Sequence, residues 1–164
     1  MKNYKNKLSA LILSLLPLYA QAENIQVIHA GELLALPGKT VLKKQTLVIT
    51  DNKITNIEAG FLSAKEFGKD AKLIDLKNSF VMPGLMDMHV HLQGELGPTN
   101  ASDTLKMSAE DVGMQSVHFA NKTLMAGFTT VRDLGANPQY LYALRNAVAK
   151  GWVVGPRIIG SGGV

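Results

Sequence analysis

The stretch Val81-Met82-Pro83-Gly84-Leu85-Met86-Asp87-Met88-His89-Val90-His91-Leu92 carries the clearest capacity for chemistry in the chain. In extended backbone, successive side chains point to opposite faces, so His89 and His91 emerge on the same side. Two imidazoles held side by side offer a pair of nitrogen ligands for zinc or a similar divalent cation. The extended reading rests on the Pro83-Gly84 turn pair and on an apolar run too short for a helix. A bare His-x-His arises often by chance; the whole string is far more specific. Asp87 lies two residues before His89 and on the same reasoning shares its face. It is a candidate acceptor that supports the pair, with an equal claim as a polar residue orienting the start of the strand.

The elements that must position this pair follow from rhythm. After Pro83 the chain alternates strand and helix. Leu85 to His91 is the first strand, and Ser108 with Asp111 three residues on forms an acidic N-cap arrangement. A helix is expected from Ala109 to Ala126, with Met107, Met114, Val117, Ala120 and Leu124 near one face and Gly127 as its stop. Phe128 to Asp133 is the second strand, Gln139 to Lys150 a second helix ended by Gly151, and Arg157 to Ser161 a third strand. Strands alternating with helices of this length mean βαβ units and a parallel sheet. Asp133 then ends a strand at the functional face, with Arg132 expected to pair with it or another carboxylate. His118, in mid-helix, reads as an ordinary helix histidine. Gly160-Ser161-Gly162-Gly163 has no helix after it to make a phosphate site, and suits close backbone approach at the mouth of a site.

From Ile25 to Leu76 the pattern is different: short β-rich runs at Ile25–Ile28, Thr46–Ile49, Ile54–Ile57 and Leu73–Leu76. The turn Thr50-Asp51-Asn52-Lys53 joins the middle two as a hairpin. With no crossover helices between them, a small antiparallel sheet is expected. His29 is placed at the end of one of its strands, away from the histidine pair.

Residues 1–22 read as a cleavable export signal. Lys2, Lys5 and Lys7 precede the apolar run Leu8–Leu18, and Ala20-Gln21-Ala22 has the small-x-small form of a cleavage site, making Glu23 the mature start. A run of eleven residues that contains Pro17 falls short of the roughly twenty that span a bilayer. Export, to a bacterial periplasm, is therefore expected, with no membrane attachment after cleavage. Three of the four net positive charges belong to that segment, leaving +1. No basic patch interleaved with aromatics remains, which argues against nucleic acid as a partner. The absence of cysteine excludes disulfides and thiolate ligands, so any metal must be held by histidine and carboxylate. Asn100 and Asn121 head Asn-x-Ser/Thr strings that matter only in a eukaryotic secretory route.

The string Val81–His91 resembles the first-strand signature of the amidohydrolase superfamily. Thr129-Thr130-Val131-Arg132-Asp133-Leu134-Gly135 and Gly155-Pro156-Arg157-Ile158-Ile159 are similar to later blocks of its imidazolonepropionase-like branch, which includes exported Xaa-Pro dipeptidases. The resemblance runs from Ile25 to the end of the sequence. It implies an α/β fold: a (β/α)8 TIM barrel preceded by part of a small β-sandwich, here residues 23–82, with the barrel from 83 to 164. It implies that His89 and His91 bind one metal of a centre with one or two divalent ions, zinc first among zinc, manganese, cobalt and iron. It also implies a carboxylated lysine, two more histidines and an aspartate on later strands. Asp133 is not a direct metal ligand on this resemblance.

A closed barrel needs on the order of 250 residues, so the chain as it stands is expected to be a truncated, inactive piece of one, its unfinished sheet edges prone to aggregation. Three readings remain open for its parent. One is a metal-dependent hydrolase of amide or peptide C–N bonds, with Xaa-Pro dipeptides as the favoured small-molecule substrate. Another is a hydrolase of cyclic amides, or a deaminase, on the same fold. The third is an exported metal-binding barrel without catalysis. On the resemblance the general base is expected beyond Val164, and whether the protein is a homo-oligomer is open.

Overall fold

The hairpin at Asp51-Asn52 organises the first part of the chain. Both residues take left-handed backbone, with φ of 47° and 67°, which a two-residue type I′ turn demands and which Asn and Asp tolerate best after glycine. The turn joins β2 (Leu42–Thr50) to β3 (Lys53–Ala59), pairing Thr50 with Lys53. In this computed structural model, which describes residues 24–98, 102 and 105–161, β1 (Ile25–Leu33) and β4 (Lys72–Val81) complete a four-stranded sheet of order β3-β2-β1-β4.

The expected antiparallel sheet is mixed instead, because β4 runs parallel to β1. The segment after β3 carries the chain back to the opposite edge of the sheet, so β4 enters in the direction of β1. Between Ala30 and Glu32 the register with β4 slips. Gly31 makes the slip feasible: a Cβ there would sit 2.1 Å from the Lys77 carbonyl oxygen. Val27, Ala30, Leu33, Leu47 and Val48 are the buried apolar residues of this unit. His29 lies inside β1 rather than at its end, and its Nε2–H donates to the Leu62 carbonyl at 2.7 Å.

A second compact unit takes Leu34–Lys39 and the chain from Met82 onward. It contains β5 (Leu85–Val90), α1 (Ala109–Met125), β6 (Phe128–Asp133), α2 (Pro138–Ala149) and β7 (Arg157–Gly160). The three strands are parallel in the order β5-β6-β7. They form a βαβαβ run with a parallel sheet, as the alternation of strand and helix patterns predicts, and match the opening of the (β/α)8 barrel that the resemblance implies.

Local chemistry sets the helix ends. Ser108 and Asp111 form a reciprocal capping box: the Asp111 amide donates to Ser108 Oγ at 3.2 Å, and the Ser108 amide to Asp111 Oδ2 at 2.9 Å. The Ser108 backbone hydrogen bond, then its side chain, holds the Asp111 carboxyl below its ordinary value. Gly127, at φ 96°, ends α1 in left-handed backbone. Asn137 caps α2 by accepting from the Gln139 amide, with Pro138 in the first turn. Of the expected stripe on α1, Ala120 is fully buried but Met114 is 73% exposed. The inward face instead carries Ser116, whose hydroxyl donates to the Val112 carbonyl, so that it is buried without an unmet donor.

Val131, Ile158, Ala120, Leu141 and Leu144 make the core between strands and helices, with Leu92 and Ala136 closing it near the strand C-termini. Burying a leucine side chain stabilises by roughly 1.5–3 kcal/mol. The export signal at 1–22, the start at Glu23, Asn100, and Gly162-Gly163 lie outside the described residues. Among the described residues no helix is long and apolar enough to cross a membrane.

Candidate functional site

β5 owes its shape to the residues on either side of it. Gly84 lies against Thr129, where a Cβ would come within 2.1 Å of the threonine hydroxyl oxygen. A side chain at position 84 would therefore push the start of β5 away from β6. The ladder then slips twice, the second time between Asp87 and Val90, which pair with Val131 and Asp133. Three steps along β5 thus match two along β6, a bulge centred on Met88 and His89. β5 ends at Val90, so His91 stands just past the strand rather than within it.

Side chains take up the backbone groups that the bulge frees. The His89 amide donates to Asp87 Oδ1 at 2.9 Å, and Arg132 Nε donates to the Met88 carbonyl at 2.9 Å. Asp87 therefore meets the site through the main chain of His89. Arg132 does not pair with Asp133 as expected; β-strand alternation turns it to the face opposite the buried Val131 and Asp133.

The two imidazoles come together as the spacing predicts, with ring centroids 5.4 Å apart and planes inclined by 50°. Both residues are exposed. His91 Nδ1–H donates to the Gly135 carbonyl at 3.1 Å, a contact that fixes the tautomer and leaves Nε2 with a free lone pair. This is the arrangement a metal-binding histidine takes, so the pair fits a divalent cation. Gly135 is required by the packing: a Cβ on it would lie 2.6 Å from His91 Nδ1 and 2.3 Å from Cε1. Among the described residues, no group of three or more His, Asp or Glu side chains gathers at one point.

Asp133 is completely buried at the end of β6. Its Oδ2 accepts from the Leu92 amide at 2.8 Å and its Oδ1 from the Gly135 amide at 3.2 Å. Both oxygens are thus engaged in holding the chain that follows His91 and the chain that carries the Gly135 carbonyl. A further reciprocal pair joins the same two segments: Gln93 Nε2 donates to the Asn137 carbonyl and the Asn137 amide to Gln93 Oε1, each at 3.0 Å. The roles of Gly135 and Gln93 were not legible from the sequence, because only the packed ends of β5 and β6 bring them beside the histidines. Beside His91 a cleft of about 300 Å³ opens toward α1, reaching Asp87, Phe119 and Phe128, with Lys122 and Glu95 paired at 2.8 Å on its wall. His118 is exposed on α1, against Phe119, and has no part in the pair.

Solved structures share this architecture, and known enzymes are similar to the chain in sequence. A Xaa-Pro dipeptidase with methionine bound in its active site superposes with a TM-score of 0.76 at 35% identity, over 86% of this chain and 34% of that one. A prolidase complexed with N-methylphosphonate-L-proline gives a TM-score of 0.69 at 29% identity, over 85% of this chain and 32% of that one. The 5'-deoxyadenosine deaminase of Methanosarcina barkeri is 31% identical over 116 residues, 60% of this chain and 25% of the enzyme. The chain thus spans about a third of the length of those structures and a quarter of the deaminase. The profile of the amidohydrolase family matches residues 80–164, from the strand that leads into the histidine pair through β7. With the parallel βαβαβ run and the paired imidazoles at its first strand, that match makes this chain a member of the amidohydrolase family.

Proposed function

We propose that this chain supplies the first-strand histidines, His89 and His91, of a hydrolase that cleaves C–N bonds with the help of a divalent cation, and that its substrates are dipeptides of the Xaa-Pro type. The observation that carries the reading is the His91–Gly135 contact, which presents Nε2 of one imidazole beside its neighbour. When bound, a divalent ion, zinc foremost, would acidify water and polarise a substrate carbonyl. The chain's own contribution is to hold two imidazoles at a fixed spacing. Asp87 orders the His89 main chain, and Asp133 fixes the segments on both sides of the His91 ring. The preference for dipeptides rests on the dipeptidase and prolidase among the similar structures. A deaminase reading is the alternative, favoured by the likeness to the 5'-deoxyadenosine enzyme.

The export signal at 1–22, with release to a periplasm after Ala22, belongs to the same proposal. A scavenger of short peptides is useful outside the cytoplasm, whereas nucleoside deamination is not tied to export.

The test is a cation titration together with a substrate panel. The protein containing this chain is expected to bind zinc or manganese, to lose that binding when His89 and His91 are changed to Ala, and to hydrolyse Xaa-Pro dipeptides in preference to 5'-deoxyadenosine. Unchanged binding in the double variant would refute the ligand assignment. Turnover of 5'-deoxyadenosine but of no dipeptide would establish the alternative.

A further inference from the structure

Of the two register slips between β5 and β6, the second is a bulge in β5 that falls on the residue before His89 and on His89 itself. A bulge re-aims the side chain it carries. A bulge also frees main-chain groups, and an exposed bulge with unmet groups can relax back toward regular pairing. Here two side chains hold it open from opposite sides, Asp87 on the His89 amide and Arg132 on the Met88 carbonyl.

Asp87 is local, two residues from the amide it binds. Arg132 comes from the neighbouring strand, 44 residues away. Its guanidinium is planar and its Nε–H is directed by three bonds of fixed geometry, so the contact constrains both distance and orientation of the Met88 peptide. The peptide that receives it is the one that ends at the His89 nitrogen. Rotation of that peptide would turn the Cα–Cβ bond of His89 and so change the separation of the two imidazoles.

We propose that Arg132 is a positioning residue for the cation site: by gripping the Met88 carbonyl it fixes the bulge that aims His89 at the ion shared with His91. The inference rests on the reading of His89 and His91 as cation ligands. Together with Gly135, which receives the His91 ring, it makes the C-terminal end of β6 the support on which both imidazoles are set. Arg132 acts through His89 and Gly135 through His91.

A double-mutant cycle on the whole chain, with cobalt as the probe and its visible absorption as the readout, tests this. Changing Arg132 to Met, which has no donor, is expected to weaken cobalt binding about 10- to 100-fold, and Arg132→Lys, which keeps a donor for the Met88 carbonyl, to recover part of the loss. In a His89→Ala background the Arg132→Met change should have little further effect, because the residue it acts through is gone. In the cation-free protein, hydrogen exchange at the His89 amide should speed up in Arg132→Met while exchange in α1 and β7 stays as in the parent. An equal loss of cobalt binding with and without His89, or an unchanged His89 amide, would overturn the proposal. If the parent chain binds no cobalt, the ligand reading fails, and the exchange measurement alone decides whether Arg132 holds the bulge.

Discussion

The carbonyl of Gly135 accepts the Nδ1–H of His91 at 3.1 Å, and the ring lies where any side chain on residue 135 would have to be. One glycine therefore both orients the imidazole and leaves the room it occupies. Substituting Gly135 by Ala should displace the ring and weaken zinc binding by about 10- to 100-fold, the usual cost of disturbing the partner of a ligating histidine. Equilibrium competition against a chromophoric chelator measures this directly, and wild-type affinity in the variant would contradict the assignment.

Asp133 should be intolerant of amidation. Its two buried oxygens face two main-chain N–H donors. Asparagine can present only one acceptor oxygen, so its NH2 would face a donor. A loss of about 1–3 kcal/mol is expected from the buried donor left unmet. Urea unfolding of Asp133→Asn reads it, and a midpoint equal to the parent's would show that these contacts do not form in solution.

The core between strands and helices can be probed at Leu141, which is 1% exposed. Leu141→Ala should destabilise the second unit by about 2–5 kcal/mol through lost burial and the cavity left behind. Because Leu141 also abuts the position a Cβ on Gly160 would take, the void would lie directly beneath the end of β7. Thermal melting by circular dichroism measures the loss.

Acid should loosen the start of α1 before the remainder of that helix. The Asp111 carboxyl is held below its ordinary value of 3.8 by hydrogen bonds from the Ser108 backbone and side chain. A depressed folded value means that its contribution is complete above that ordinary value and disappears as pH falls through the folded one. Asp111→Asn should remove this pH dependence, and amide exchange over Ala109–Val112 between pH 2 and pH 5 follows it. Separately, Ser108→Ala should cost about 1 kcal/mol through loss of the cap.

Much of this was legible in the chain. Pro83-Gly84, the alternation of apolar residues and the Ser108–Asp111 spacing were enough to place β5, α1 and β6, because each depends on interactions within a few residues. The pairing of His89 with His91 was legible for the same reason. What escaped was non-local. The parallel entry of β4 depends on where the 60–71 segment delivers the chain. The bulge depends on Arg132, 44 residues from the carbonyl it grips. Met114 was assigned to the inner face of α1 from its hydrophobicity, yet Ser116 occupies that side because its hydroxyl can return to its own helix. Gly135 stood at the end of a family-like block, but its role was hidden until its neighbour was known to be an imidazole.

The bonds from Leu92 and Gly135 to Asp133, and the exchange between Gln93 and Asn137, tie the departure points of two successive loops to one another. Neither loop can lengthen near its root without breaking the tether. Insertions and deletions that tailor the mouth of the site must then fall farther along the first loop, past Gln93. A designer grafting a new substrate preference onto this scaffold would diversify that outer arc and leave the roots alone.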